Sequence, residues 1–255
     1  MTTSIRAVVT GHSRGIGEGV AAHCLERGIS VLGIARHGNV DLAKRHDAKL
    51  QEASLDLGDA DAIVRWIGSG TLRRFLDGAS TALLVNNAGV IQPIGPLEAQ
   101  DPAAVARAVT VNVSAPLMLS TAFARDTAGA KDRRILHISS GAGRKAYAGW
   151  NVYDATKAAL DHHARTVALD RSPRLRISAV APGTIDTEMQ TELRASTDAL
   201  FPDRPRFVKL KHEGGLLDPL EVGGRLVDFL LSPNFGDEPV SDLRDFPTAT
   251  HRRGV

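Results

Sequence analysis

Cysteine is almost missing from this 255-residue chain: Cys24 stands alone. No intrachain disulfide can brace the fold, and a reducing compartment is the expectation. Net charge is nearly missing as well. The 31 Lys and Arg oppose 29 Asp and Glu, leaving +2, which gives no reason to expect nucleic acid or an anionic membrane as a partner. No run approaches the roughly 20 apolar residues that span a bilayer. The opening residues lack the basic start, apolar stretch and small-residue cleavage site of a secretory leader, so a cytoplasmic protein is expected. Repeats, linkers and low-complexity tracts are absent. What remains is ordinary globular composition, 43% apolar and 24% charged, at a length suited to one α/β domain over residues 1–255.

Short apolar runs alternate with longer helical patterns. Strands are predicted at Ile5–Thr10, Ser30–Ala35, Ala53–Leu57, Thr81–Asn86, Arg134–Ser139, Arg176–Ala181 and Val240–Leu243. Several are continuous apolar runs, as in strands buried on both faces. Helices are predicted at Ile16–Arg27, Asp59–Leu76, Asp101–Thr127, Val152–Asp170 and Pro219–Leu231. Asp59 and Asp101 suit N-caps, Pro102 a first helical position and Gly28 a helix stop. Gly68-Ser69-Gly70 should break the second of these helices. This order implies a doubly wound, Rossmann-type parallel sheet with helices on both faces. Residues 184–218 break the rhythm and read as an irregular substrate loop. The tail His251-Arg252-Arg253 reads as a frayed basic end.

Thr10-Gly11-His12-Ser13-Arg14-Gly15-Ile16-Gly17 falls where the first strand turns into the first helix. Glycines there permit a tight turn and close approach to a diphosphate, which the helix N-terminus attracts. No Lys-Ser or Lys-Thr follows, which disfavours a nucleotide-triphosphatase loop. The second strand ends Ala35-Arg36-His37 with no carboxylate before Asp41. An acidic residue there would hold a free ribose 2′-hydroxyl, whereas a basic one accommodates a 2′-phosphate. Arg36, with Arg14 approaching from the glycine turn, therefore points to NADP(H); the alternative is that either arginine simply faces solvent.

Ser140 follows the fifth strand, and Tyr153 and Lys157 stand one helical turn apart, thirteen residues further on. An ammonium beside a phenol should lower its pKa and make Tyr153 a usable proton donor, while Ser140 hydrogen-bonds the same carbonyl oxygen. A lone Tyr-x-x-x-Lys is commonly a solvated surface pair; the serine, the glycine turn and the strand order together argue for chemistry.

These residues, with Asn86-Asn87-Ala88-Gly89, Asn112 and Pro182-Gly183, resemble the short-chain dehydrogenase/reductase pattern over nearly the whole chain. The resemblance implies a seven-stranded sheet in the order 3-2-1-4-5-6-7. It implies a catalytic set of Asn112, Ser140, Tyr153 and Lys157, with Asn112 helping a water relay protons to Lys157. It also implies cofactor contacts from Gly11, Ser13, Arg14, Gly15, Ile16, Gly17, Arg36, Asp56, Leu57, Asn87, Ala88, Gly89, Tyr153, Lys157, Pro182, Gly183, Ile185 and Thr187. Here Asp56 and Leu57 match an adenine-contacting pair, and Ile185 and Thr187 the segment that fixes the nicotinamide carboxamide. Family members commonly pair the helices beginning near Asp101 and Val152 between subunits, so a homodimer or homotetramer is implied. No metal is expected.

The stretches 139–150, 181–190 and 206–217 are similar to a bacterial group in the sepiapterin reductase-like branch, which implies an NADPH-dependent carbonyl reductase taking a small aromatic α-diketone. The substrate set expected is Ser140, Gly141, Tyr147, Trp150 and Met189, although Trp150, Met189 and Phe207 could equally be plain packing. The charged residues of the loop read as a solvated face. Asp242 loosely matches the carboxylate that anchors a pterin in sepiapterin reductases, and the family's usual Asp-Gly-Gly after the last strand is missing. A pterin reductase, an NAD(H)-linked alcohol dehydrogenase and a non-catalytic NADP(H) sensor remain as rivals.

Overall fold

The computed structural model describes residues 4–246; the basic tail His251–Arg253 lies outside them. Seven strands form one all-parallel sheet: β1 (Ile5–Thr10), β2 (Ser30–Ala35), β3 (Leu50–Ser54), β4 (Thr81–Asn86), β5 (Asp132–Ile138), β6 (Leu175–Ala181) and β7 (Val240–Asp242). Their order across the sheet is β3-β2-β1-β4-β5-β6-β7, as the resemblance implied. The reversal of direction between β1 and β4 leaves a crevice at their carboxyl ends, the usual ligand position in such a sheet.

Alternation along the strands explains the continuous apolar runs. Ala7, Val9, Leu83 and Val85 face helices α1 (Gly15–Glu26) and α10 (Pro219–Leu231), with Val20, Cys24, Leu226 and Leu230 filling that layer. Val8, Ala82 and Leu84 face the opposite side. There they meet α3 (Ala60–Gly68), α4 (Thr71–Leu76), α6 (Ala115–Asp126) and α7 (Asn151–Leu169) through Ile63, Phe75, Leu119, Phe123 and Ala164. Buried on both faces, these strands carry no polar stripe.

Capping follows the sequence closely. Asp59 accepts from the Ala62 amide at 2.9 Å, and Asp101 from Ala103 and Ala104 at 3.3 and 3.1 Å. Gly28, at φ +78°, ends α1. The helix pattern over Asp59–Leu76 is interrupted at Ser69–Gly70, as its glycines predict.

Four expectations need correction. The third strand is Leu50–Ser54 rather than Ala53–Leu57; Leu55 and Leu57, which suggested the later placement, leave the sheet to plug the core beneath it. A short helix, α2 (Val40–His46), was not foreseen, because only Leu42 in it is buried and its apolar signal is slight. The long helix over 101–127 is two helices, α5 (Pro102–Val109) and α6, joined by a π-helical turn at Thr110–Ser114. The segment 184–218 is not irregular, since it carries α8 (Glu188–Ala195) and α9 (Arg204–His212). Their polar composition hides them, because each buries only one or two side chains.

The run Pro102–Asp126 is also long and apolar enough, by composition, to cross a membrane. Its Ala115, Leu119, Ala122 and Phe123 are buried against the sheet. Phe123 is fully enclosed, so Phe123→Ala should cost about 3–5 kcal/mol in a denaturant-unfolding measurement, the usual loss for an emptied aromatic site.

Candidate active site

The glycine turn after β1 is held from beneath by β4. The Thr10 hydroxyl accepts from the amides of Asn87 and Ala88 at 2.9 and 3.0 Å, and Asn87 Nδ2 donates to the Thr10 carbonyl at 2.9 Å and the Gly11 carbonyl at 3.3 Å. Gly17 packs so tightly on the Gly11 carbonyl and the Asn87 amide that any side chain would collide with them. Gly15, at φ +60°, turns the chain into α1 and lies beside Thr187. Arg14 occupies the N-cap position of α1 without a side-chain cap. The first-turn amides, Gly15 and Ile16 among them, therefore have no side-chain acceptor there and suit an anionic ligand. These features fit a dinucleotide diphosphate.

Around the turn, Asn39 Nδ2 donates to the Ser13 carbonyl at 3.2 Å, while His12, 1% exposed, pairs with Glu52 at 2.6 Å. Sequence reading missed Asn39 and Glu52 because Asn39 sits in a turn pattern and Glu52 just ahead of the stretch read as the third strand. Arg36 is exposed at the end of β2. Arg14 is also exposed but forms an ion pair with Glu188 at the start of α8. Asp56 is bound by Arg107 at 3.1 Å and by the Gly58 amide at 2.9 Å, which together hold its carboxyl below the usual range, and Leu57 is buried. Pro182 and Gly183 follow β6, Ile185 is buried and bridges to Leu217, and Thr187 occupies the N-cap position of α8 without a side-chain cap.

The chemistry-bearing residues converge at the carboxyl ends of β4 and β5. Asn112, on the π-helical turn, is 1% exposed. Its Oδ1 accepts from the Val90 amide at 2.8 Å, and its Nδ2 donates to the Val90 carbonyl at 2.8 Å and the Thr156 hydroxyl at 3.1 Å. It is an anchored interior amide. Gly89 lies between it and Lys157: a Cβ there would be 3.4 Å from Asn112 Oδ1 and 3.6 Å from Lys157 Nζ. Lys157 donates to the Ile138 carbonyl at 2.9 Å, and its Nζ stands 5.6 Å from the centroid of the Tyr153 ring. Ser140 Oγ accepts from the Ala142 amide at 3.1 Å, and the space beside Gly141 is open.

Burial dominates the electrostatics. It pushes the Lys157 ammonium down to about 8, against the pull of Asp161. It pushes the Tyr153 phenol up to about 12, with the Ser140 hydroxyl opposing and Asp154 adding to the rise. The expected lowering of the Tyr153 pKa by Lys157 does not hold: withdrawal from water raises it, and the opposing pull comes from the Ser140 hydroxyl. The phenol is consequently protonated at neutral pH. Asp154 is raised to about 6 by burial, despite the Tyr147 amide donating to it at 2.7 Å.

Above the site lies a third apolar cluster containing Ile91, Ile94, Trp150, Tyr153, Leu193, Phe201 and Phe207. Trp150 stacks on Phe201 at 4.6 Å and lies 5.3 Å from both Tyr147 and Tyr153. At 5% exposed it packs as core. Tyr147 and Met189 are partly exposed at the edge, with the Met189 sulfur 3.8 Å from the Tyr153 hydroxyl. Asp242 is committed to Arg244, whose guanidinium approaches both carboxylate oxygens at 2.8 and 2.6 Å. The sequence also passed over Asp161, one turn beyond Lys157; its spacing on the same helix face was the available signal.

Comparison with known proteins matches residues 6–198 to a family model described as short chain dehydrogenase. A benzil reductase ((S)-benzoin forming) from Bacillus cereus is 33% identical over 235 residues, 89% of this chain and 94% of the relative. A crystal structure of a short-chain dehydrogenase/reductase from Burkholderia vietnamiensis is 47% identical, with a TM-score of 0.71, over 97% of this chain and all of that one. A metagenomic short-chain oxidoreductase in complex with NADP is 27% identical, with a TM-score of 0.71, over 94% and 95% of the two chains.

The buried ammonium has a consequence for folding. With its folded pKa near 8 and an ordinary value of 10.5, the folded state binds fewer protons than the unfolded one between those values, so the Lys157 contribution to stability rises with pH in that window. Urea unfolding of wild type and Lys157→Met at pH 7 and pH 9.5 should show the difference shifting toward wild type at the higher pH.

Proposed function

Since the chain belongs to the short-chain dehydrogenase/reductase family, we propose that it is an NADPH-dependent carbonyl reductase that reduces one ketone of an aromatic α-diketone such as benzil to the hydroxyketone. The observation that carries this reading is the convergence of Ser140, Tyr153, Lys157 and Asn112 beneath an aromatic cluster, at the open end of a glycine turn built for a diphosphate. The names of the B. cereus relative and the NADP-bound structure support the substrate class and the cofactor.

NADPH, when bound, supplies the hydride that reduces the carbonyl carbon. The first-turn amides of α1 take the diphosphate. Arg36 takes the 2′-phosphate by charge-assisted hydrogen bonds, with Ser13 and Arg14 on the same side of the cleft. Asp56 and Leu57 flank the adenine. Asn87, Ala88 and Gly89 line the channel, and Pro182, Gly183, Ile185 and Thr187 bound the nicotinamide end. The Lys157 ammonium binds the nicotinamide ribose. Ser140 holds the substrate oxygen, and Tyr153, protonated at neutral pH, gives it a proton as the alkoxide forms. Lys157 returns a proton to Tyr153, and Asn112 orders the water through which Lys157 is refilled. Tyr147, Met189 and Gly141 border the substrate, and Trp150 supports that wall from behind as packed core. The segment 184–218 serves as the substrate cover.

Asp242, bound by Arg244, has no carboxylate oxygen free of that guanidinium, which disfavours pterin anchoring. Steady-state turnover with benzil and sepiapterin tests the reading: benzil should be the better substrate, and no turnover across a broad carbonyl panel would remove the enzymatic role. Tyr153→Phe should lower kcat by roughly 10²–10⁴, the usual worth of a positioned acid, with cofactor affinity little changed. Arg36→Ala should reduce the NADPH-over-NADH ratio of kcat/KM by about ten- to a hundredfold, the equivalent of one charge-assisted contact.

A further inference from the structure

Asp161 lies on α7 one turn beyond Lys157 and two beyond Tyr153, so the three side chains share a face. It is 1% exposed. A carboxylate that far from water is costly unless paired and hydrogen-bonded, and here both oxygens are engaged. Oδ1 accepts from Ser139 Oγ at 2.5 Å, and Oδ2 from Arg144 Nε at 3.0 Å. Arg144 reaches on to the Ser241 carbonyl of β7 at 2.8 Å. One carboxylate thus ties down the residue before Ser140 and the residue four after it, fastening both to the helix that carries Tyr153 and Lys157. Between those ties, Gly143 lies so close to α7 that a Cβ would come within 2.9 Å of the Lys157 carbonyl carbon, leaving the segment no slack.

We propose that Asp161 is a positioning residue: its carboxylate keeps the Lys157 ammonium charged and locks the Ser140 turn against the Tyr153 helix. The proposal rests on the role given to Lys157 above. The other groups around Lys157 bring no comparable negative charge. On α7, Tyr153 is protonated at neutral pH, and the charge of Asp154 acts on the Tyr153 phenol, whereas the charge that acts on Lys157 is that of Asp161. From β5 come the Ile138 carbonyl and His137, which burial takes down to about 3 and so leaves neutral. The π-helical turn offers the neutral Asn112, and the Ser140 segment offers the cation Arg144, itself paired with Asp161. Asp161 opposes the burial that drives Lys157 toward its neutral form.

Asp161→Asn keeps the shape and can retain a hydrogen bond to each neighbour while removing the charge. Two readouts apply, kcat for benzil and the NADPH dissociation constant, each followed from about pH 6 to pH 10. In wild type both should change through a pKa near 8. Loss of a close opposite charge typically moves a pKa by at least one unit, so in Asp161→Asn both profiles should move down by about one pH unit. Turnover would then fall about fivefold at pH 8 and return close to wild type near pH 6.5. A folded variant whose profiles coincide with wild type, whether at full or uniformly reduced turnover, overturns the proposal.

If the single variant does not fold, the double variant Arg144→Met/Asp161→Asn carries the test against wild type, since removing both partners leaves no stranded charge and Asp161 is the partner whose charge acts on Lys157. The double variant's profiles must lie below those of wild type, and coincidence overturns the proposal. Failure of wild type to reduce benzil would strike the substrate reading alone, because the affinity profile needs no turnover and still reports on Asp161.

Discussion

The Lys157 ammonium sits out of water between the Ile138 carbonyl, the Tyr153 ring and the Asn112–Gly89 wall. Burying such a group costs several kcal/mol after relaxation, and the surrounding structure is arranged to meet that cost. The end of β5 provides a carbonyl acceptor, α7 provides Asp161 one turn away, and the π-helical turn brings a fixed amide to the other side. The π-helical turn is itself fastened to Val90 and to Thr156 of α7, and Asp161 fastens α7 to Ser139 and Arg144. The position of one cation therefore couples the ends of β4 and β5 to α7.

The aromatic cover has a different origin. Phe201, Phe207 and Leu193 belong to the segment between β6 and α10, and they pack on Trp150 and Tyr153 rather than on either face of the sheet. This third cluster is separate from the two layers that hold the strands together. Residues of α8 and α9 can accordingly vary while the sheet and α7 stay as they are. The Arg14–Glu188 pair joins that cover to the glycine turn, placing both sides of the crevice in contact across its mouth.

Much of this was legible in the residues. β1, β2 and β4 fall where the sequence places them, because strands buried on both faces keep an unbroken apolar middle between polar residues near their ends. Ser140, Tyr153 and Lys157 could be related through strand-to-helix spacing, and the structure does bring them to one place. The misplaced edge strand, the unseen α2 and the helices inside 184–218 share a cause: each is polar over most of its length, and tertiary contacts through a few buried side chains decide its form. The Tyr153 pKa was misjudged in direction because adjacency to a cation is visible in sequence while depth of burial is not. Asp161 escaped notice for a similar reason, since nothing in its neighbourhood along the chain announces Ser139 and Arg144 as partners.

The π-helical turn at Thr110–Ser114 takes one residue more per hydrogen-bonded loop than the α-helices on either side. Removing any one of those five residues would let α5 and α6 merge into an uninterrupted helix of sound hydrogen bonding. It would also rotate everything on one side of the cut by about 100°, the angle per residue of an α-helix. Either Asn112 would swing away from Val90 or α6 would lose its seat on the sheet. The irregularity thus acts as a phase-setter, reconciling two faces that a regular helix could not present together, and a locally smoother chain there would be a poorer enzyme.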